Sequence, residues 1–241
     1  AWTERDAWVV TRHDHLRQLL ADSRLSTNMG DWRGFQPMAI AGDEFKALRR
    51  MYAAGLFTLP DIDHDRVRRL AAGSFTPRAV QRQRAQVQAI VDRVLQSLTD
   101  AGQQELNVRD YAEPIPLDVI SELIGVPPAQ RAGFREFGKA VITFSQPYVP
   151  PEALPDIAAK FQLGETLMTE LIEARRQQPH DDLLGDLVRA RDGDQRLSED
   201  ELLALVCGLL AAGSDTTVHG LCFAVHAFLT HPDALAQIQQ N

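Results

Sequence analysis

Apolar residues recur along most of this chain at the three-and-four spacing of a helix that buries one face. Between positions 80 and 99 they are Val87, Ile90, Val91, Val94, Leu95 and Leu98, and Gly102 follows as a stop. Over 111–125 the set is Ile115, Val119, Ile120, Leu123 and Ile124, closed by Gly125-Val126-Pro127-Pro128. Over 129–144 it is Phe134, Phe137, Val141 and Ile142. The pattern predicts further helices around Phe45–Tyr52, from His64 to a close at 73–78, from 153 or 155 to 176, and from Asp181-Asp182 to 191. A short helix runs through Leu16, Leu19 and Leu20 with Asp14 as its cap, and Pro232 opens a last one. Strand patterns occur twice. Ala7-Trp8-Val9-Val10-Thr11 is rich in aromatic and β-branched residues, and Glu105-Leu106-Asn107-Val108 reads as a short edge strand. The expected fold is mainly α with minor β at the edge. No repeat or linker divides it, so 1–241 reads as a single helical domain.

One stretch breaks the amphipathic rule. Ser198 with Glu201 three positions on is a capping box. Twelve residues without a polar side chain follow, from Leu202 to Gly213. Ser214-Asp215-Thr216-Thr217 interrupts, an apolar run returns from Val218 to Leu229, and His231-Pro232 ends the helix. A helix of this length, roughly 48 Å, that is apolar all round for three turns runs through a core. At about 100° per residue, Leu205, Leu209, Ala212, Gly213, Thr216, Gly220 and Phe223 share a face. Its centre is small, which lets a flat ligand approach the backbone. Thr216 can bond back to the Ala212 carbonyl and Thr217 to that of Gly213, which bends a helix and leaves room for a small molecule. Asp215 in mid-helix is costly unless paired or solvated. A packing role for this polar cluster is the competing explanation.

Ala212-Gly213-Ser214-Asp215-Thr216-Thr217 resembles the oxygen-binding motif of the cytochrome P-450 monooxygenases. Other segments are similar to the same family. His64 and Arg68 lie at i and i+4 on one helix face, a pair suited to a carboxylate. With Phe75-Thr76-Pro77 after them they match the segment that holds haem propionates. The usual Asp-Pro-Pro-Glu before the histidine is here Pro60-Asp61-Ile62-Asp63. Trp8-Val9-Val10-Thr11-Arg12 and the run Pro116 to Pro127 also look like bacterial-type members. The resemblance implies a long central helix and the amino-terminal part of the family's fold. The family's Glu-x-x-Arg brace and its cysteine loop, which ligates haem iron, are expected beyond Asn241, so the domain is expected to be incomplete here. Glu173 to Arg176 has the brace's spacing but precedes the motif helix.

By that resemblance the function is haem-thiolate oxygen insertion into a small organic substrate. The cofactors are haem and O2, with electrons ultimately from NAD(P)H through a ferredoxin-type donor and its reductase. Thr216 and Asp215 are the catalytic candidates, Thr216 as the hydroxyl beside the oxygen and Asp215 as the gate for protons. Ala212 and Gly213 leave space for oxygen, Leu209 and Thr217 join the cofactor side, and His64 and Arg68 hold propionates.

Composition narrows the alternatives. A net charge of −8 argues against nucleic acid or an anionic membrane as partner. Cys207 and Cys222 fall about 22 Å apart along the long helix, too far to bridge, which suits a reducing cytoplasm. No leader or membrane anchor is recognised, and Asp215 and His219 cut the apolar run short of a span of about 18 residues. No metal site is read: His13 and His15 sit at a turn, and the acids after His180 complement a helix start. The rival functions are a non-enzymatic helical binding module lacking haem and, below it, a metal hydrolase using His and Asp.

Overall fold

The computed structural model describes residues 8–22, 24–25, 42–56, 58–100, 102, 105–145 and 149–240. Twelve α-helices follow in order among them. They are α1 (His13–Leu20), α2 (Lys46–Ala53), α3 (Asp61–Ala72), α4 (Pro77–Arg82), α5 (Arg84–Asp100) and α6 (Val108–Ala112). Then come α7 (Pro114–Ile124), α8 (Arg131–Phe144), α9 (Leu154–Gln177), α10 (Leu183–Arg189), α11 (Glu199–Thr230) and α12 (Pro232–Gln239).

The expected edge strands do not form. Among the described residues there are isolated bridges but no strand. Trp8 makes such a bridge, residues 9–12 are irregular, and Ala7 lies outside the described residues. A strand needs a neighbour for its backbone groups, and here Trp8 and Val9 are 71% and 50% exposed rather than packed on a sheet. The second stretch fails for a local reason. The Asn107 side chain accepts a hydrogen bond from the Arg109 N–H at 3.2 Å and caps α6, so Val108 starts a helix. Other boundaries move as well: the helix expected from Val80 to Thr99 is divided between α4 and α5, and the one expected to reach Arg191 ends at Arg189. Asp14 lies in the first turn of α1 rather than at its cap, and α3 starts at Asp61, three residues before His64.

The core lies between α11 and the helices α7, α8, α9 and α10. Phe134 and Phe137 of α8, Phe161 and Met168 of α9, Leu184 and Leu187 of α10, and Leu202, Val206 and Leu210 of α11 are all buried. The rings of Phe137 and Phe161 meet edge to face at 5.4 Å, a favoured aromatic geometry. Gly164 allows it: a side chain there would run into the Phe137 ring.

A buried arginine joins three helices behind this core. Arg175 of α9 donates to the carbonyls of Ile124 and Gly125 at 3.1 and 2.8 Å, the orphan acceptors at the end of α7. The same nitrogen donates to the Asp182 carboxylate at 2.8 Å. Asp182 in turn caps α10 by accepting from the Gly185 N–H at 2.7 Å. Gly125 has φ of 70°, the left-handed helix stop that glycine tolerates, and its missing side chain leaves room for this cluster.

The capping box of α11 forms as expected, with Glu201 accepting from the Ser198 N–H at 2.8 Å. Glu201 is also paired with Arg66 of α3, so one carboxylate ties the two helices. Burial alone raises the pKa of Glu201, but the Arg66 guanidinium and the Ser198 N–H outweigh it and hold it below the ordinary value of 4.5. A lowered carboxylate pKa stabilises the fold above the unfolded-state value and loses that contribution as pH falls through the folded-state value. Stability should therefore decline as the solution is acidified below about pH 4.5, and Glu201→Gln should flatten that decline. Urea midpoints measured for both proteins across the acid range test this; parallel curves would refute it.

The expectation that polar residues keep α11 from membrane-spanning length needs correction. By length and composition α11 passes that test, but half of the apolar stretch is buried inside the fold, as in a core helix.

Candidate functional site

The face of α11 changes character along its length. From Glu201 to Cys207 every residue is buried. Beyond that, Leu210, Ser214 and Val218 continue the buried side at four-residue intervals. Ala212, Thr216, Thr217, Gly220 and Phe223 are exposed, and Leu209, Gly213 and Asp215 are half-buried. The small-residue face therefore starts in the core at Leu205 and opens at Ala212. Ile120 of α7 lies behind it, close enough to press on any side chain placed at Gly213.

Thr216 makes the expected back-bond: its hydroxyl donates to the Ala212 carbonyl at 2.5 Å. With its proton held there, Oγ1 presents lone pairs outward, and the hydroxyl must turn about Cβ–Oγ1 before it can donate elsewhere. Asp215 is half-buried, so it keeps part of its solvation and escapes the full cost of a buried carboxylate. Ser214, inside the same motif, points into the core, and its Oγ is buried without a hydrogen-bond partner among the described residues. Such an oxygen costs roughly 1–3 kcal/mol. Ser214→Ala is therefore expected to raise the melting temperature slightly; a clear drop would mean that the hydroxyl has a partner.

His64 and Arg68 lie together on α3, as their spacing requires. The His64 ring is partly exposed, and its one polar partner among the described residues is its neighbour Asp65, at 3.4 Å. Arg68 is exposed and makes no hydrogen bond or ion pair among the described residues. Neither residue is linked to Thr216 by a hydrogen bond or ion pair. Instead Arg66, on the other side of α3, anchors that helix at the start of α11 through Glu201. Sequence reasoning missed this latch, because the two residues are 135 positions apart, Arg66 alone reads as a surface charge and Glu201 already has a role in the capping box.

The cysteines lie on α11, Cys207 buried in the core and Cys222 half-buried. Burial pushes the Cys207 thiol well above its ordinary pKa, so it stays protonated and is a poor metal ligand. No group of three His, Cys, Asp or Glu side chains that could hold a metal ion occurs among the described residues.

The fold so defined is a helical bundle crossed by one long helix whose small, hydroxyl-bearing face becomes exposed at Ala212. The family described as Cytochrome P450 matches residues 134–241. Epothilone C/D epoxidase of Sorangium cellulosum is 36% identical over 99% of this chain and 57% of its own length. The 6-deoxyerythronolide B hydroxylase of Saccharopolyspora erythraea is 32% identical over 98% of this chain and 58% of its own. Epothilone B-bound cytochrome P450epoK superposes with a TM-score of 0.84 at 37% identity, covering 100% of this chain and 60% of that one. The chain belongs to the cytochrome P450 family. It spans a little over half the length of the curated relatives it matches.

Proposed function

We propose that this chain serves a haem-thiolate monooxygenase that places one atom of O2 in an organic substrate. Electrons would come from NAD(P)H through a ferredoxin-type donor and its reductase, in the cytoplasm. The observation that carries the reading is the open, small-residue face of α11 with the Thr216 hydroxyl at its centre. Two relatives bear the names of an epoxidase and a hydroxylase, both oxygen-inserting activities. The reading covers the protein to which this chain contributes.

The residues fit a flat, anionic cofactor. Ala212 and Gly213 keep the α11 backbone accessible beside Leu209 and Thr217. Arg68 has an exposed guanidinium with no hydrogen bond or ion pair among the described residues, and His64 beside it adds a second donor, so the pair would hold propionate carboxylates. Haem, when bound, supplies the oxygen chemistry. The chain's own part is to shape the face, place a hydroxyl at Thr216 and supply protons. Asp215, half-buried one residue before Thr216, is the gate for those protons in this reading.

Arg68→Ala should lower haem affinity by about tenfold, the loss of one charge-assisted contact, with His64→Ala following in the same direction. Haemin titration of the apo protein, read by absorbance, measures this without any turnover. Arg17→Ala, on exposed α1, is the control. Unchanged haem affinity in both variants would remove the pair from the cofactor site. Product formation with a supplied ferredoxin and reductase tests the activity itself.

A further inference from the structure

The ends of α3 and α10, together with α4, line a cleft of about 460 Å3. Five arginines face it: Arg69, Arg78, Arg82, Arg189 and Arg191. The chain as a whole carries a net charge of −8, so this clustering runs against its composition. Two carboxylates offset it in part. Asp186 accepts from Arg189 at 2.8 Å and from Arg82 at 3.3 Å, and Asp192 pairs with Arg69 at 3.2 Å. Three positive charges remain uncompensated.

The guanidiniums are largely fixed in place. Arg189 also donates to the His180 carbonyl at 2.9 Å, and one nitrogen of Arg191 donates to the carbonyls of Val188 and Ala190 at 3.0 and 2.7 Å. Their remaining N–H groups are available to the cleft. Arg78 has no hydrogen bond or ion pair among the described residues. Thr76 adds a hydroxyl whose oxygen accepts from the Ala79 N–H, leaving its proton to be donated. No lysine lines the cleft. Planar, preorganised forks without lysine suit oxyanions bound through paired N–H groups. Two linked phosphates carry several negative charges, which offsets the surplus in the cleft, and the concave shape suits a small molecule.

We propose that this cleft binds a ligand bearing a pyrophosphate group, either the free anion or an organic diphosphate ester. The inference is independent of the haem reading. Calorimetric titration of the natural protein at low ionic strength tests it, with inorganic pyrophosphate, ADP, sulfate and polyglutamate as probes. The expected result is one pyrophosphate per chain, bound about tenfold or more tighter than sulfate, because more charge-assisted bonds form. Arg78→Gln should weaken pyrophosphate by about tenfold and leave the melting temperature unchanged, since Arg78 has no hydrogen bond or ion pair to lose among the described residues. Arg17→Gln should change neither. Tighter binding of ADP than of pyrophosphate would support the organic diphosphate; equal or weaker binding would support the free anion. The proposal is overturned by absence of pyrophosphate binding, by equal affinity for sulfate, or by an unaltered affinity in Arg78→Gln. Tighter binding of polyglutamate than of pyrophosphate would also overturn it, and would point to an acidic protein partner.

Discussion

Thr216→Val is expected to uncouple the proposed monooxygenase: reductant is still consumed, hydrogen peroxide leaves, and product falls. Valine keeps the branched shape but loses the hydroxyl. Thr216 is exposed on α11, so the substitution opens no cavity and its cost to stability should be small. What disappears is a group that the structure holds at the opening of the face, with its proton parked on the Ala212 carbonyl at 2.5 Å. Once turned away from that carbonyl the hydroxyl can donate, and removing a donor from an oxyanion site typically costs about 2.7–4 kcal/mol. Thr216→Ser keeps the hydroxyl and should retain most of the coupling. Asp215→Asn should behave differently, slowing turnover because proton supply falls while the hydroxyl stays. A purely structural role for the motif makes the opposite forecast, a lower melting temperature with intact coupling. Product formed per reductant consumed, measured beside the melting temperature, separates the two, and full coupling in Thr216→Val would strike Thr216 from the catalytic residues.

The largest stability effect should come from Arg175→Ala. Its side chain is only 5% exposed, and that of its partner Asp182 is 13% exposed. Removing the guanidinium would strand the Asp182 carboxylate and the carbonyls of Ile124 and Gly125 together. Breaking one partner of a buried pair costs about 3–5 kcal/mol. Asp182→Asn should cost less, because asparagine still caps α10. Denaturant unfolding of the three proteins decides it. A loss below about 1 kcal/mol for Arg175→Ala, the scale of an exposed ion pair, would mean that the cluster is solvated.

The contrast between Arg175 and Glu173 shows how far spacing can be read. Glu173 and Arg176 stand at the spacing of the family's Glu-x-x-Arg pair, and the sequence-based reading set them aside because they precede the motif helix. The structure gives the strong role to the residue between them. Arg175 reaches partners seven and some fifty positions away, on α10 and α7. No local pattern marks such a residue, since its partners come together only when three helices pack.

The helices themselves were legible, because apolar spacing, caps and stops act over a few residues. The box at Ser198 and Glu201 set the start of α11, His231-Pro232 set its end, and Gly125 set the stop of α7. The two predicted strands were wrong because strand identity depends on a partner, and at 105–108 the capping preference of Asn107 prevailed over the β-like composition. Within the motif, 3.6-residue periodicity put Ala212, Gly213 and Thr216 on one side of α11. Periodicity carries no information on which side is covered. Packing decided that Ser214 faces the core and that Thr216 faces outward. It also decided that Arg66 meets Glu201 and that five arginines from separate segments converge on one cleft. Sequence by itself determined helix positions and the residue types on each face, because those are set by short-range backbone preferences. Tertiary structure alone decided burial, pairing and convergence, because those depend on contacts between residues far apart in the chain.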